Sequence, residues 1–308
     1  MKGVMYHYVT EFDERFPNLR FLDFKNFLKQ LDYFEEKYGF VTFKEWEEYI
    51  FNGITPNKIG KVLLTFDDAL SCHFNYVFKE LKRRNLWGLF YIPTNPYKVE
   101  KMLYVHKIQI LSSVVSGLDL NLYTKKIISQ NMIPDEKKIE FRNDTYKKQN
   151  NYSGITEFKR LLNYFLDYDY REEIIEKISN EFSVKFNINK FYLSIPQIRE
   201  MENSGMIIGS HTASHPVMSK LDSFEQRKEI KSSFSFLNSI CKLNHKTYCH
   251  PFGGFHSFDE HTLSILEENK VDYSFNVQSA NIDKVDWVDN KHSLPRFDCN
   301  EFQFGGAN

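Results

Sequence analysis

Two adjacent carboxylates, Asp67 and Asp68, close the apolar run "VLLTFDD" at 62–68. Like charges at the end of a buried run repel each other and are costly to strip of water, so the pair calls for a positive partner. His211 and His215 stand four residues apart at the end of "MIIGSHTASH", and His250 follows "KTYC". Two imidazoles and one carboxylate form a familiar ligand set for a divalent cation that keeps positions open for water. One aspartate then binds the cation, whose charge keeps the neighbouring carboxylate ionised and usable as a general base. A helical turn after Gly209 would aim both imidazoles at one point.

Each feature alone has a plainer account. Asp is a favoured helix N-cap, an isolated pair of histidines at this spacing is more often surface or satisfied core, and "HPFGG" reads as a turn. His7 is as readily a buried, hydrogen-bonded histidine as a pocket-lining one, and Trp287 in "DKVDWVD" as readily core as pocket wall. Their joint placement tips the balance, because all of the acid and histidine groups end predicted strands.

Those strands alternate with helical patterns, as in an α/β fold. Strands are expected at 3–9, 62–66, 88–92, 206–211, 246–250, 272–277 and 293–298, and parallel strands bring their C-terminal ends, and the polar residues on them, to one face. Asp23 is placed to cap a helix carrying Phe24, Phe27, Leu28, Leu31 and Phe34, Ser194 with Pro196 opens another, a third covers 223–240, and Ser257 is placed to open a fourth. Residues 97–193 read differently: helices at 102–115, 157–166 and 171–182, a polar loop at 134–154 and no strand. We read one domain over 1–308 with a mostly helical insertion at about 97–193.

"TFDDA", "SHTASHP", "HPFGG" and "LPRFD" occur in an order and spacing that resemble the motifs of the polysaccharide deacetylase family, the NodB-homology domain of carbohydrate esterase family 4. "MYHYV" and "IPQIREMENSGMIIGSH" add to the likeness, which spans roughly 1–95 and 194–300. It implies a distorted (β/α)7 barrel and a metal-dependent hydrolase that removes an N-acetyl group from an amino sugar or glycan intermediate. Carried over by position, Asp67 is the general base acting on a metal-bound water, and Asp68, His211 and His215 are the metal ligands. The metal expected is Zn2+, with Co2+, Ni2+, Mn2+ and Fe2+ chemically admissible. His7, Pro251, Phe252, Gly253, Trp287 and Arg296 fall to the substrate side. Two departures stand out. The third motif lacks the arginine that orients the base in many members, and Arg296 is the expected substitute. The histidine of a closing Leu-x-His motif is missing as well, which leaves His292, His250 and His7, in that order, for the general acid. Release of another small acyl group, such as formyl, and a catalytically impaired sugar-binding relative are the alternatives.

The bulk composition is consistent with this reading. Of 308 residues 42% are hydrophobic, and 40 Lys and Arg nearly balance 41 Asp and Glu, so no global field draws in nucleic acid. The four cysteines form no CxxC pair, which speaks against a zinc knuckle or a disulfide framework and fits a reducing compartment. No run approaches the roughly 20 apolar residues of a transmembrane helix. A cytoplasmic protein acting on an N-acylated sugar is expected, with its oligomeric state open.

Overall fold

The computed structural model describes residues 1–134, 141–143, 145–146 and 151–307. In chain order the strands are β1 (Lys2–Tyr6), β2 (Val9–Thr10), β3 (Leu22–Asp23), β4 (Val62–Phe66), β5 (Leu89–Ile92), β6 (Ile207–Ser210), β7 (Thr247–Cys249), β8 (Tyr273–Phe275) and β9 (Phe297–Asp298). Seven of them form one sheet in the order β8-β7-β6-β5-β4-β1-β9. Every pairing in it is parallel. The sheet curls on itself: the segment that carries β9 against β1 also bridges Leu294 to Phe275 on the opposite edge.

β4 and β5 are buried along their whole length, as expected of strands covered on both faces. One face packs on Phe27, Leu31 and Phe34 of the helix Phe24–Lys37. The other points into the barrel, where Tyr91 of β5 and Thr247 of β7 meet through their hydroxyls at 2.9 Å. They meet over Gly209, where a Cβ would lie 2.5 Å from the Tyr91 ring and 2.7 Å from Thr247. Only glycine fits this crossing.

The expected caps hold for Asp23, which accepts from the Lys25 N–H, and for Ser194, whose capping box with Gln197 opens the helix Ile195–Asn203. Ser257 does not open a helix. It closes a short 3-10 turn, and Asp259 caps the helix Glu260–Glu268 that follows. Asp outcompetes Ser here because its side chain reaches the Thr262 N–H.

The insertion is helical among its described residues. The expected helices lie at Tyr104–Val114, Ile155–Arg160 (continued by a π turn, Leu161–Phe165) and Arg171–Glu181, and Gly117–Ile127 adds another. Leu111, Leu120, Phe158, Leu162, Ile174 and Ile178 give these helices their own buried core. Of the polar stretch 134–154, residues 135–140, 144 and 147–150 lie outside the described residues. At its end the insertion returns to the barrel: Tyr192 forms an antiparallel bridge with Leu70, just past the two aspartates.

Candidate active site

Asp67 and Asp68 follow β4, and both are 2% exposed. Asp68 and Ala69 have φ of 80° and 54°. Left-handed backbone at two successive non-glycine residues is strained and needs surrounding contacts to hold it. Here Leu193 N–H donates to the Ala69 carbonyl at 2.8 Å and Ser71 N–H to the Phe191 carbonyl at 2.9 Å.

The positive partner of Asp67 is Arg296, fully buried next to β9. Its Nη1 donates to Oδ1 at 2.9 Å and its Nη2 to Oδ2 at 2.8 Å. The remaining N–H groups go to the Asn276 carbonyl, the Thr65 hydroxyl and the Cys249 sulfur, so the guanidinium fork is fully used. Burial pushes the Asp67 carboxyl up, but the Arg296 charge and hydrogen bonds outweigh it, and the group sits at about 2. Thr65, in the middle of "LLTFDD", is there as a relay: it accepts from Arg296 and donates to the Val4 carbonyl.

Asp68 gathers histidines. Its Oδ1 lies 3.6 Å from His211 Nε2 and 3.4 Å from His215 Nε2, and no hydrogen bond reaches it. His211 Nδ1 is 2.8 Å from the Cys249 carbonyl. A carbonyl only accepts, so Nδ1 carries the proton and the lone pair of Nε2 faces the carboxylate. Two lone pairs facing each other in a dry site repel unless a cation lies between them. Ligand atoms at about 2.05 Å around a tetrahedral zinc are about 3.3 Å apart, close to the spacings found. Asp68, His211 and His215 therefore fit a divalent cation.

The two histidines do not meet by a helical turn. Thr212 and His215 take φ of 64° and 58°, and the Thr212 hydroxyl accepts from the His215 N–H, making a tight loop that brings the rings to 4.7 Å. Glu229, from the helix Ser223–Ile240, braces this loop by accepting from the N–H groups of Ala213 and Ser214.

A cavity of about 550 Å³ opens over these groups. His7, Asp67, Asp68, His211, His215 and His250 line it, with Phe252 packed 4.9 Å from the His215 ring. Gln109, Lys159 and Tyr164 of the insertion complete the wall. The His7 side chain is 37% exposed, the only one of these histidines open to solvent, and its Nε2 lies 3.9 Å from Asp68 Oδ2. His73, in the π turn after the aspartates, reaches the His7 carbonyl at 2.8 Å.

Other expected site residues lie apart. His292 does not line the cavity: its carbonyl accepts from His250 Nε2 at 2.9 Å while burial lowers its ring to about 4. That bond occupies the His250 N–H, and the ring stacks on Phe258 at 3.8 Å, with burial lowering it to about 3. Trp287 packs against Gly53 and the hydrophobic cluster of Trp46, Tyr49 and Ile50 and donates to the Ile50 carbonyl, apart from the cavity. Pro251 and Gly253 shape the turn behind Phe252, where Gly253 has φ of 69°, rather than facing the cavity.

His106 is the residue that sequence reasoning passed over. It is fully buried, and its Nε2 lies 3.2 Å from Asp68 Oδ2. The available signal was a lone histidine on the helix Tyr104–Val114, which outside its tertiary setting reads as core.

A family model described as polysaccharide deacetylase matches residues 182–274. Among curated proteins no sequence matches the chain. Solved structures do: the deacetylase PplD of Streptococcus pyogenes, at 15% identity and a TM-score of 0.60, covers 97% of this chain and 91% of its own. IcaB from Ammonifex degensii follows at 18% identity and 0.56, covering 96% and 90%. The deacetylase domain of BpsB from Bordetella bronchiseptica stands at 12% and 0.52, covering 96% and 94%. The fold is the distorted (β/α)7 barrel of the polysaccharide deacetylases. The resemblance carried by the sequence motifs stands, and the family model matches the part of the chain that holds the second and third of them.

Proposed function

We propose that the protein is a metal-dependent hydrolase that removes an N-acetyl group from a sugar amine. One observation carries the proposal: the unpaired, buried Oδ1 of Asp68 converges with His211 and His215 beside an aspartate held ionised by Arg296. Zn2+ is the cation we assign to the three ligands, as the ion that best suits two imidazoles and a carboxylate. Bound there, it supplies Lewis acidity toward an acyl carbonyl and toward water.

The side chains divide the remaining work. Asp67, ionised and fixed by two charge-assisted hydrogen bonds, takes the proton of the attacking water. Arg296 keeps that carboxylate from turning toward the cation. His7, at the open side of the cavity, gives a proton to the departing amine. It takes the acid role in place of His292, which does not reach the cavity, and of His250, whose N–H is tied to a carbonyl. Phe252 and the insertion residues hold the sugar. The streptococcal relative was solved in complex with acetate, the product expected here.

The test is acetate release from N-acetylated glucosamine oligosaccharides by zinc-loaded protein, with formate release from N-formyl analogues measured in parallel. We expect acetate, with Asp67→Asn and His7→Gln each lowering kcat by ~10²–10⁴. Formate release alone would favour a deformylase. Full activity in Asp67→Asn would sink the assignment of the base.

A further inference from the structure

We infer that the helical insertion completes the cation site: His106 and Tyr192 position Asp68, so the chain's affinity for metal depends on residues outside the four family-like motifs. The inference rests on the reading of Asp68, His211 and His215 as metal ligands.

The argument starts at Tyr192. Its hydroxyl accepts from the Leu103 N–H at 3.1 Å and lies 2.7 Å from His106 Nδ1. A hydroxyl that has accepted one hydrogen bond still has a proton to give, and in this buried setting Nδ1 is the acceptor within reach. Nδ1 therefore carries the lone pair and Nε2 the proton, on the side facing Asp68 Oδ2 at 3.2 Å. With one oxygen faced at 3.2 Å by a neutral imidazole N–H, a close electrostatic approach rather than an aligned hydrogen bond, the carboxylate offers its other oxygen, Oδ1, to the gap shared with His211 and His215. This is how outer groups orient ligating carboxylates in metal sites.

Three further contacts make the arrangement rigid. Tyr192 is bridged to Leu70, two residues past Asp68, so the segment that carries the hydroxyl is pinned against the segment that carries the carboxylate. Gln109, three residues on from His106 and hence on the same helix face, accepts from the Tyr8 hydroxyl at 2.7 Å. The His106 ring packs at 5.2 Å from that of Phe191. His106 does not touch the cavity itself, so it acts through Asp68 and is a positioning residue.

The experiment titrates metal-stripped, full-length protein with Co2+ and with Zn2+, following the Co2+ absorption bands and the dissociation constants rather than turnover. His106→Leu keeps the bulk and loses the N–H; it should weaken binding ~10- to 100-fold. His106→Gln restores an N–H at similar reach and should return most of that loss, which a purely space-filling role would not predict. Tyr192→Phe frees the tautomer and should fall between the two. Circular dichroism and thermal unfolding confirm that each variant is folded, and Tyr192→Phe, which removes a single oxygen, carries the test if His106→Leu does not fold. Dissociation constants within twofold of the unaltered protein for His106→Leu and Tyr192→Phe overturn the inference alone. If the unaltered protein binds no cation, the ligand reading falls and the inference with it.

Discussion

Asp67 is 2% exposed and would be a poorer base without help, because burial pushes its carboxyl up toward the protonated form. Arg296 reverses this and holds the group at about 2 against its ordinary 3.8. The sign follows from linkage: a lowered carboxylate stabilises the fold above pH 3.8, and that contribution is lost as pH falls toward 2. The acid limb of the rate profile above pH 3 therefore does not come from Asp67. Arg296→Met should change that. With the guanidinium gone, burial pushes Asp67 up, and the acid limb of kcat/KM should move upward by more than one pH unit as kcat falls. Leaving the carboxylate buried and unpaired should also cost about 3–5 kcal/mol in chemical unfolding. An unchanged pH profile in a folded variant would show that Arg296 does not govern the base.

At the scale of elements, the site depends on strands whose C-terminal ends meet at one rim. That much was legible in the sequence, because apolar runs such as "VLLTF" and "GLFYI" end on polar residues and parallel pairing gathers those ends. The convergence of His211 and His215 was legible too, though not its means: the turn is built from left-handed residues and a Thr212 hydroxyl bond, which a four-residue spacing does not encode. Of the two readings open for Trp287 the core one holds, and His292 falls away from the cavity because proximity in sequence to "LPRFD" says nothing about where a side chain points. His106 and Tyr192 lie 86 residues apart and meet Asp68 only when the insertion docks, so no local pattern announces them. Gly209 tests the strand packing itself. Gly209→Ala puts a methyl group into the Tyr91 ring, and it should destabilise the protein by about 1–3 kcal/mol in urea unfolding through overpacking. A neutral result would mean that Tyr91 and Thr247 yield more easily than their hydrogen bond implies.

At the scale of the whole molecule, the barrel supplies the proposed cation ligands and the proposed base, while the insertion supplies much of the cavity wall. The lining mixes Gln109, Lys159 and Tyr164 with Phe252, a blend of aromatic and polar groups that suits a sugar ring. No described helix is long and apolar enough to cross a membrane. What unites these parts in the proposed function is a cation, and its presence is open to direct measurement. The decisive quantity is the zinc content of chelator-stripped, reloaded protein after gel filtration, determined by mass spectrometry for the unaltered chain and for Asp68→Ala. The account predicts close to one zinc per chain in the first and almost none in the second. Equal zinc in both, or none in either, would contradict it.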